Sequence, residues 1–330
     1  MNARRLVLML GAVALLAVAA LAVLLGSRGS ERAKSIVFQA KVHGLYQLFT
    51  IEPDGSNLRQ ITHLVIRSSS IPGAEQATWS PDAKTIIFDS DYRHTKHKII
   101  NVFTIKPDGT GLTQLPLDVG EFDGAPAYSP DGTMISFDWD ASASVLHEQG
   151  IDIANADGSG VRRLTALDQP NRIHHSSNWS PDGEWIVFTE LRGLGQSAIL
   201  KIRPDGTGLA ALTPWAMNAN NAKWSPDGSR IAFNSHNDPQ QGVDANLYAM
   251  KPDGTGLVQL THYGGGRLNA YAGGWSPDGT QIVFHVRGAD PNGPGVNQLF
   301  IIDADGSNMH QLTHLPHGMN PGYASWSPAG

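Results

Sequence analysis

The sequence predicts an all-β protein. The expected architecture is a six-bladed β-propeller of four-stranded antiparallel blades, closed by a blade shared between the two chain ends and preceded by one N-terminal transmembrane or signal helix. Three observations carry that expectation. An aromatic-Ser-Pro-Asp-Gly phrase recurs along the chain at steps of 45–51 residues. An Asp-Gly phrase that runs on to Leu-Thr interleaves with it at the same period. Gly (36) and Pro (20) are abundant and helical periodicity is nearly absent past the N-terminus, as short strands joined by tight turns require.

The N-terminus reads as an export segment. Arg4 and Arg5 precede an apolar run from Leu6 to Gly26, long enough to cross a hydrocarbon core of about 30 Å. Signal-peptide cores are shorter, about 7–15 residues, which favours an uncleaved anchor. Ala17-Val18-Ala19 and Ala20-Leu21-Ala22 are nevertheless patterns that a signal peptidase accepts. Residues 1–33 are assigned to this signal-anchor or signal peptide with a short linker, and 34–330 to the propeller. Either reading makes the propeller extracytoplasmic (periplasmic or at the cell surface), tethered to the cytoplasmic membrane or secreted.

Composition narrows the function. The net charge is -6, which argues against a nucleic-acid binder. The chain has no cysteine, so disulfides, thiolate metal sites, a thiol nucleophile and a lipidated cysteine are excluded.

Along the propeller, the first copy opens at Ser35-Ile36-Val37-Phe38, which matches a second strand, and continues through Leu45 to Ile51 and Leu58 to Thr62. The first strands of the following blades end at Trp79, Tyr128, Trp179, Trp224 and Trp275, and a last one ends at Trp326. The fifth blade shows the unit best. Its first strand ends at Trp224, and Ser225-Pro226-Asp227-Gly228 turns the chain. Strands follow at Arg230 to Asn234, Asn246 to Met250 and Leu257 to Thr261, with a polar loop and the Pro252-Asp253-Gly254 turn between them. The chain therefore starts with three strands of one blade and ends with the missing first strand. Sharing that blade closes the ring and leaves no open sheet edge between first and last units.

These phrases resemble the TolB-type β-propeller repeat, with its Trp-Ser-Pro-Asp-Gly turn and Asp-Gly…Leu-Thr ending, over about residues 34–330. The resemblance implies the propeller fold. It also implies a role of the kind its relatives fill: envelope binding modules, or propeller domains of peptidases and lyases.

In an up-and-down blade, alternate connections lie on opposite faces. The Asp-Gly turns share one face, the bottom, and the variable loops share the other, the top. The six repeat aromatics are expected to be inter-blade core, and the turn aspartates to form their turns. Of the 13 histidines, all but His310 fall on loops or loop edges assigned to the top. The inter-blade loops should rim the central channel. Asn218, Asn269 and Asn320 lie in register six residues before their tryptophans, with Glu75, Asp123, His174, His175, Asn220 and Tyr271 nearby. Amides, carboxylates and imidazoles converging on one opening suit a peptide, a glycan or a cation; asparagines that cap their own loops are the alternative.

No Gly-x-Ser-x-Gly, phosphate loop or dinucleotide fingerprint occurs, so no enzyme activity is expected. No cofactor is expected either; a divalent cation such as Ca or Mn fits the histidine-rich top but no motif specifies it. The leading expectation is a membrane-tethered module that presents its top loops to an envelope protein, a peptide segment or a polysaccharide. The alternative is a metal-assisted polysaccharide lyase working at the channel mouth, as the oligogalacturonate lyases do on a related propeller. A third reading is a scaffold without a ligand of its own.

Overall fold

The structure, a computed structural model, describes residues 34–65, 73–92, 100–117, 122–140, 149–165, 172–193, 195–236, 245–264, 268–288 and 297–328. The leader assigned to residues 1–33 lies outside these residues, as do His94, His97 and His147. Among the described residues, no helix is long and apolar enough to cross a membrane.

Among the described residues, the regular structure is almost all strand. It begins with β1 (Ile36–Val42), β2 (Leu45–Ile51) and β3 (Arg59–Gln60). Next come β4 (Ala74–Trp79), β5 (Ile86–Ser90), β6 (Asn101–Ile105) and β7 (Thr113–Gln114), then β8 (Phe122–Tyr128), β9 (Met134–Asp140), β10 (Gln149–Asn155) and β11 (Arg162–Arg163). The following set is β12 (Arg172–Trp179), β13 (Ile186–Arg192), β14 (Gln196–Ile202) and β15 (Ala210–Ala211). A 3-10 turn at Trp215–Met217 leads to β16 (Ala219–Trp224), β17 (Ile231–His236), β18 (Ala245–Met250) and β19 (Val258–Gln259). The chain ends with β20 (Leu268–Trp275), β21 (Gln281–Gly288), β22 (Gln298–Asp303), β23 (His310–Gln311) and β24 (Gly322–Trp326).

Neighbours within each four-strand set pair antiparallel, and β24 joins β1, β2 and β3 as expected from the split repeat. Closure is reinforced beyond the ladder: Ser327 N–H donates to Ser35 O at 2.7 Å, and Ser35 N–H donates to Ser327 Oγ at 3.0 Å. The six separate sheets expected from the repeat count are not what the hydrogen bonding shows. Four sheets have four strands each, and β8–β11 and β12–β15 merge into one eight-stranded sheet. The merger rests on a single parallel pair, Gln149 with Ile173, where the start of β10 meets the start of β12.

Second strands are buried on both faces because each sheet is sandwiched between its neighbours. Phe38, Phe88, Phe137, Phe188, Phe233 and Phe284 recur there and are fully buried. Several stack on the facing third-strand ring, as Phe38 does on Phe49 (5.6 Å) and Phe88 on Phe103 (5.8 Å). The outer strands β3, β7, β11, β15, β19 and β23 have two residues each, which blunts the exposed sheet edges.

The two repeat phrases have distinct hydrogen-bonding duties. In the first, the Ser225 hydroxyl donates to Asp227 Oδ1 (2.6 Å) and accepts from Arg230 N–H (2.9 Å), while Asp227 also accepts from Ser229 N–H (3.0 Å). Hydrogen bonds from Ser225 and Ser229 pull the Asp227 carboxyl down to about 2. The same serine-aspartate bond recurs at Asp82, Asp131, Asp182 and Asp278. In the second phrase, Thr62, Thr165, Thr213, Thr261 and Thr313 each turn a hydroxyl inward to accept a third-strand amide at 2.8–2.9 Å. The Leu-Thr ending thus satisfies a buried donor that a two-residue outer strand cannot reach.

Candidate binding site at the propeller axis

Each inner strand is bulged just before its aromatic residue. The register shifts between Glu75 and Thr78, Gly124 and Ala127, His175 and Asn178, Asn220 and Lys223, and Ala272 and Gly274. Three residues before the aromatic, Gln76, Ala125, Ser176, Asn221 and Tyr323 adopt left-handed backbone with φ of 46–59°. The bulge turns the amide of four of them toward the preceding repeat, where the residue after the second-strand Phe accepts it. Gln39 Oε1 takes Gln76 N–H at 2.9 Å and Asp89 Oδ1 takes Ala125 N–H at 3.4 Å. Asp138 takes Ser176 N–H, and Thr189 Oγ1 takes Asn221 N–H at 3.2 Å. Asn234 and His285 hold the same position in the remaining repeats. Burial pushes the Asp89 carboxyl up to about 8, with the Glu75 charge adding to it, and pushes Asp138 up as well.

These bulges form the waist of the axial channel, about 50 Å³, lined by inner-strand residues that include Gln76, Ala125, Ser176, Asn221, Lys223 and Tyr323. Below it, a cup of about 420 Å³ is walled by Trp79, Tyr128, Trp224, Trp275, Trp326 and the turn prolines. Indoles tie neighbouring inner strands there: Trp79 Nε1–H donates to Ser325 O (3.2 Å), and Trp275 Nε1–H to Lys223 O (3.0 Å). Trp179 Nε1–H instead reaches Ser136 Oγ at 3.0 Å. Above the waist, a cup of about 490 Å³ opens between the β20–β23 sheet and the closing sheet; Tyr323 belongs to both waist and cup.

The residues singled out in the sequence divide into groups. Glu75, His175, Asn220 and Tyr271 occupy one repeat position, each directly opposite the residue after the second-strand Phe: Asp89, Thr189, Asn234 and His285. Tyr271 stacks on His285 at 4.8 Å and, with Asn320, lines the upper cup. Burial raises Glu75 to about 7, although Lys41 opposes the shift. His175 is held down to about 4, first by burial and then by His174, and its Nδ1 lies 2.9 Å from Ser176 Oγ. His174 is buried against Glu190 (3.3 Å), which Arg192 (2.8 Å) and Arg172 (3.5 Å) also approach. Asn218 Oδ1 accepts Ser197 N–H (3.2 Å), Asn220 Nδ2 donates to Asn218 O (3.0 Å), and Asn269 Oδ1 accepts Ala245 N–H (2.8 Å). These three asparagines tie down backbone around the rim. Asp123 is in β8 opposite Trp139.

Two cup features escape a reading by sequence. His285, expected at the edge of a top loop, sits inside β21, because it is the polar residue after Phe284 and only 8% exposed. Lys41 and Arg287 also line the cup, and both are three residues after their second-strand Phe. That equivalence is present in the sequence, but it acquires meaning only once the sheets of β1 and β21 are known to be adjacent across the closure.

Among the described residues, no group of three His, Asp or Glu side chains is arranged to hold a metal ion. A model of the TolB beta propeller domain, PD40, matches residues 109–330. The chain belongs to this family. A TolB homolog of Chlorobium luteolum is 31% identical over 132 residues, 40% of this chain and 28% of its own length. An uncharacterized protein of Agrobacterium fabrum is 28% identical over 162 residues, 48% of this chain and 52% of its own. The chain thus spans about half the length, or less, of these curated relatives. Among solved structures, TolB from Acinetobacter baumannii superposes with a TM-score of 0.67 at 22% identity, covering 90% of this chain and 67% of that one. A putative TolB from Agrobacterium tumefaciens gives 0.64 at 18%, covering 89% and 99%. An oligogalacturonate lyase in complex with manganese gives 0.56 at 16%, covering 88% and 78%. Likeness at these identities shows the fold.

Proposed function

We propose that this chain is an extracytoplasmic binding module, tethered through residues 1–33, that receives a segment of an envelope protein in its upper cup. The observation that carries the reading is the cup itself: an opening of about 490 Å³ between the β20–β23 sheet and the closing sheet, walled by Tyr46, Tyr271 and Tyr323 beside Lys41 and Arg287. Tyrosine and arginine dominate protein interfaces, and a closed ring holds them without reorganisation on binding. In this reading the ring counts six blades, with the eight-stranded sheet divided at its one parallel pair. The inner strands support that count, following one another round as β24, β4, β8, β12, β16 and β20. Membership of the TolB propeller family supports a protein partner, and the apolar run at 6–26 supports the tether. The lyase alternative needs a metal held by histidines; no group of three His, Asp or Glu forms such a site among the described residues, and His94, His97 and His147 lie outside them.

The test is capture from solubilised envelope of the source organism by the immobilised full-length chain, with Tyr271→Ala alongside. A partner kept by the parent and lost by the variant is the expected result. A partner held equally by both would overturn the top-cup assignment.

A further inference from the structure

One position on the top rim changes chemistry around the ring. Three residues after the second-strand Phe, successive repeats carry Lys41, Asp91, Asp140, Leu191, His236 and Arg287. Lysine, aspartate, leucine, histidine and arginine all stand there, so the fold does not demand a charge at this place. The two cations fall on the second strands of adjacent sheets, β1 and β21, because the ring closes between those sheets, and both line the same cup. Among the described residues neither Lys41 nor Arg287 is in an ion pair; Lys41 Nζ lies 4.9 Å from the Tyr46 ring and feels the Glu75 carboxyl only at longer range. A third group points the same way. His285 is buried in the cup wall between Tyr271 (4.8 Å) and Tyr323 (5.7 Å), and its Nδ1 has no hydrogen-bond partner. That nitrogen is enclosed by protein, so it offers no donor to a ligand, and His285 contributes a flat aromatic surface to the cup wall. The whole chain carries -6, so this local pair of cations runs against its overall sign.

We propose that the upper cup is a carboxylate-binding site for an acidic peptide segment, with Arg287 and Lys41 receiving the carboxylates and the Tyr271–His285–Tyr323 wall packing the chain that bears them. This rests on the reading of the cup as a protein-binding site and names the class of segment it takes. Arginine supplies the planar fork that matches a carboxylate, lysine a second point charge, and the aromatic wall excludes water so that both act at short range.

The experiment titrates the full-length protein, in a non-ionic detergent, with acetyl-tetraglutamate amide, acetyl-tetraglutamine amide and trigalacturonate, read by calorimetry. The glutamate peptide is expected to bind at least about tenfold more tightly than the glutamine peptide and to weaken with added salt. R287Q and K41Q are each expected to weaken it about tenfold, while K106Q on the opposite face leaves it unchanged. Thermal melts of each variant show that the ring is intact. Equal binding of the two peptides, no binding of the glutamate peptide, or indifference to R287Q and K41Q in folded protein would overturn the proposal. Tighter binding of trigalacturonate than of the glutamate peptide would overturn it in favour of an acidic glycan. If Tyr271→Ala loses a captured partner while tetraglutamate fails to bind, only the acidic class falls. If the partner is kept, the cup reading falls with it.

Discussion

Both carboxylate oxygens of Asp138 accept the backbone N–H of Ser176, at 3.1 and 3.0 Å, across the junction between β8–β11 and β12–β15. Ser176 is in left-handed backbone, which is what turns its amide out of its own ladder and toward the neighbour. The bond is one of four such latches around the axis, so ring closure and channel lining are made by the same residues. Asp138→Ala leaves a buried amide without a partner and is expected to cost about 1–3 kcal/mol. Asp138→Asn keeps an acceptor and is expected to be tolerated. Denaturant unfolding of the two variants checks this; equal losses would contradict the latch.

The pH dependence of stability follows from the same ring. Asp89 titrates at about 8 and the facing Glu75 at about 7 in the folded protein. Both values are raised, so the unfolded chain gives up these protons first as pH increases. The stabilisation from keeping them protonated is complete below about pH 4 and is lost as pH rises through the folded values. Burial holds His175 and His285 down to about 4, and they offset this loss up to about pH 6.5, so stability is expected to fall mainly between about pH 6.5 and pH 8. Asp89→Asn should flatten that slope and leave the protein at least about 1 kcal/mol more stable at the upper end. Parallel slopes in parent and variant would contradict the assignment.

One turn departs from its repeat. Gly132, Gly183, Gly228 and Gly279 end their Ser-Pro-Asp-Gly turns at φ of 69–73°, whereas Ala83 stands in the equivalent place at φ 54°. A Cβ in left-handed backbone costs about 1–2 kcal/mol, part of which the lower unfolded-state entropy of alanine returns. Ala83→Gly is expected to stabilise the protein by about 1 kcal/mol. A lower melting temperature would show that the turn is not strained.

The Leu-Thr ending makes a further prediction. Thr261 Oγ1 accepts Leu247 N–H and donates to Asn246 Oδ1, both at 2.9 Å. Thr261→Val keeps the shape and removes both bonds. The expected loss is about 1–3 kcal/mol, measured by urea unfolding. An unchanged midpoint would show that water or a shifted strand replaces the hydroxyl.

Much of the fold was readable because its signals are local. The Ser225-Asp227 turn, the Thr261 ending and the split of one repeat between Ile36 and Trp326 are all written within a few residues of where they act. The merger of β10 and β12 was not, since the approach of Gln149 to Ile173 is a tertiary event with no turn phrase behind it. The site was readable only in part. Glu75, His175, Asn220 and Tyr271 are legible only as neighbours of the in-register asparagines; the strand pairing shows that they share one repeat position. Asn218 and Asn269 are legible by a constant offset of six residues before their aromatic, yet they spend their oxygens on the amides of Ser197 and Ala245. Lys41, His285 and Arg287 were missed because strand alternation alone does not tell which second-strand residues face the axis; the bulges opposite them decide that.

The central claim is that ligands enter from the top. Photo-crosslinking tests it most directly, with a photoreactive phenylalanine analogue placed at Tyr323, in the upper cup, or at Leu209, exposed beside the Asp205 turn on the opposite face. Expressed in the source organism, the Tyr323 position is expected to give a discrete adduct that R287Q weakens, and the Leu209 position none. A discrete adduct at Leu209 with none at Tyr323 would contradict the account.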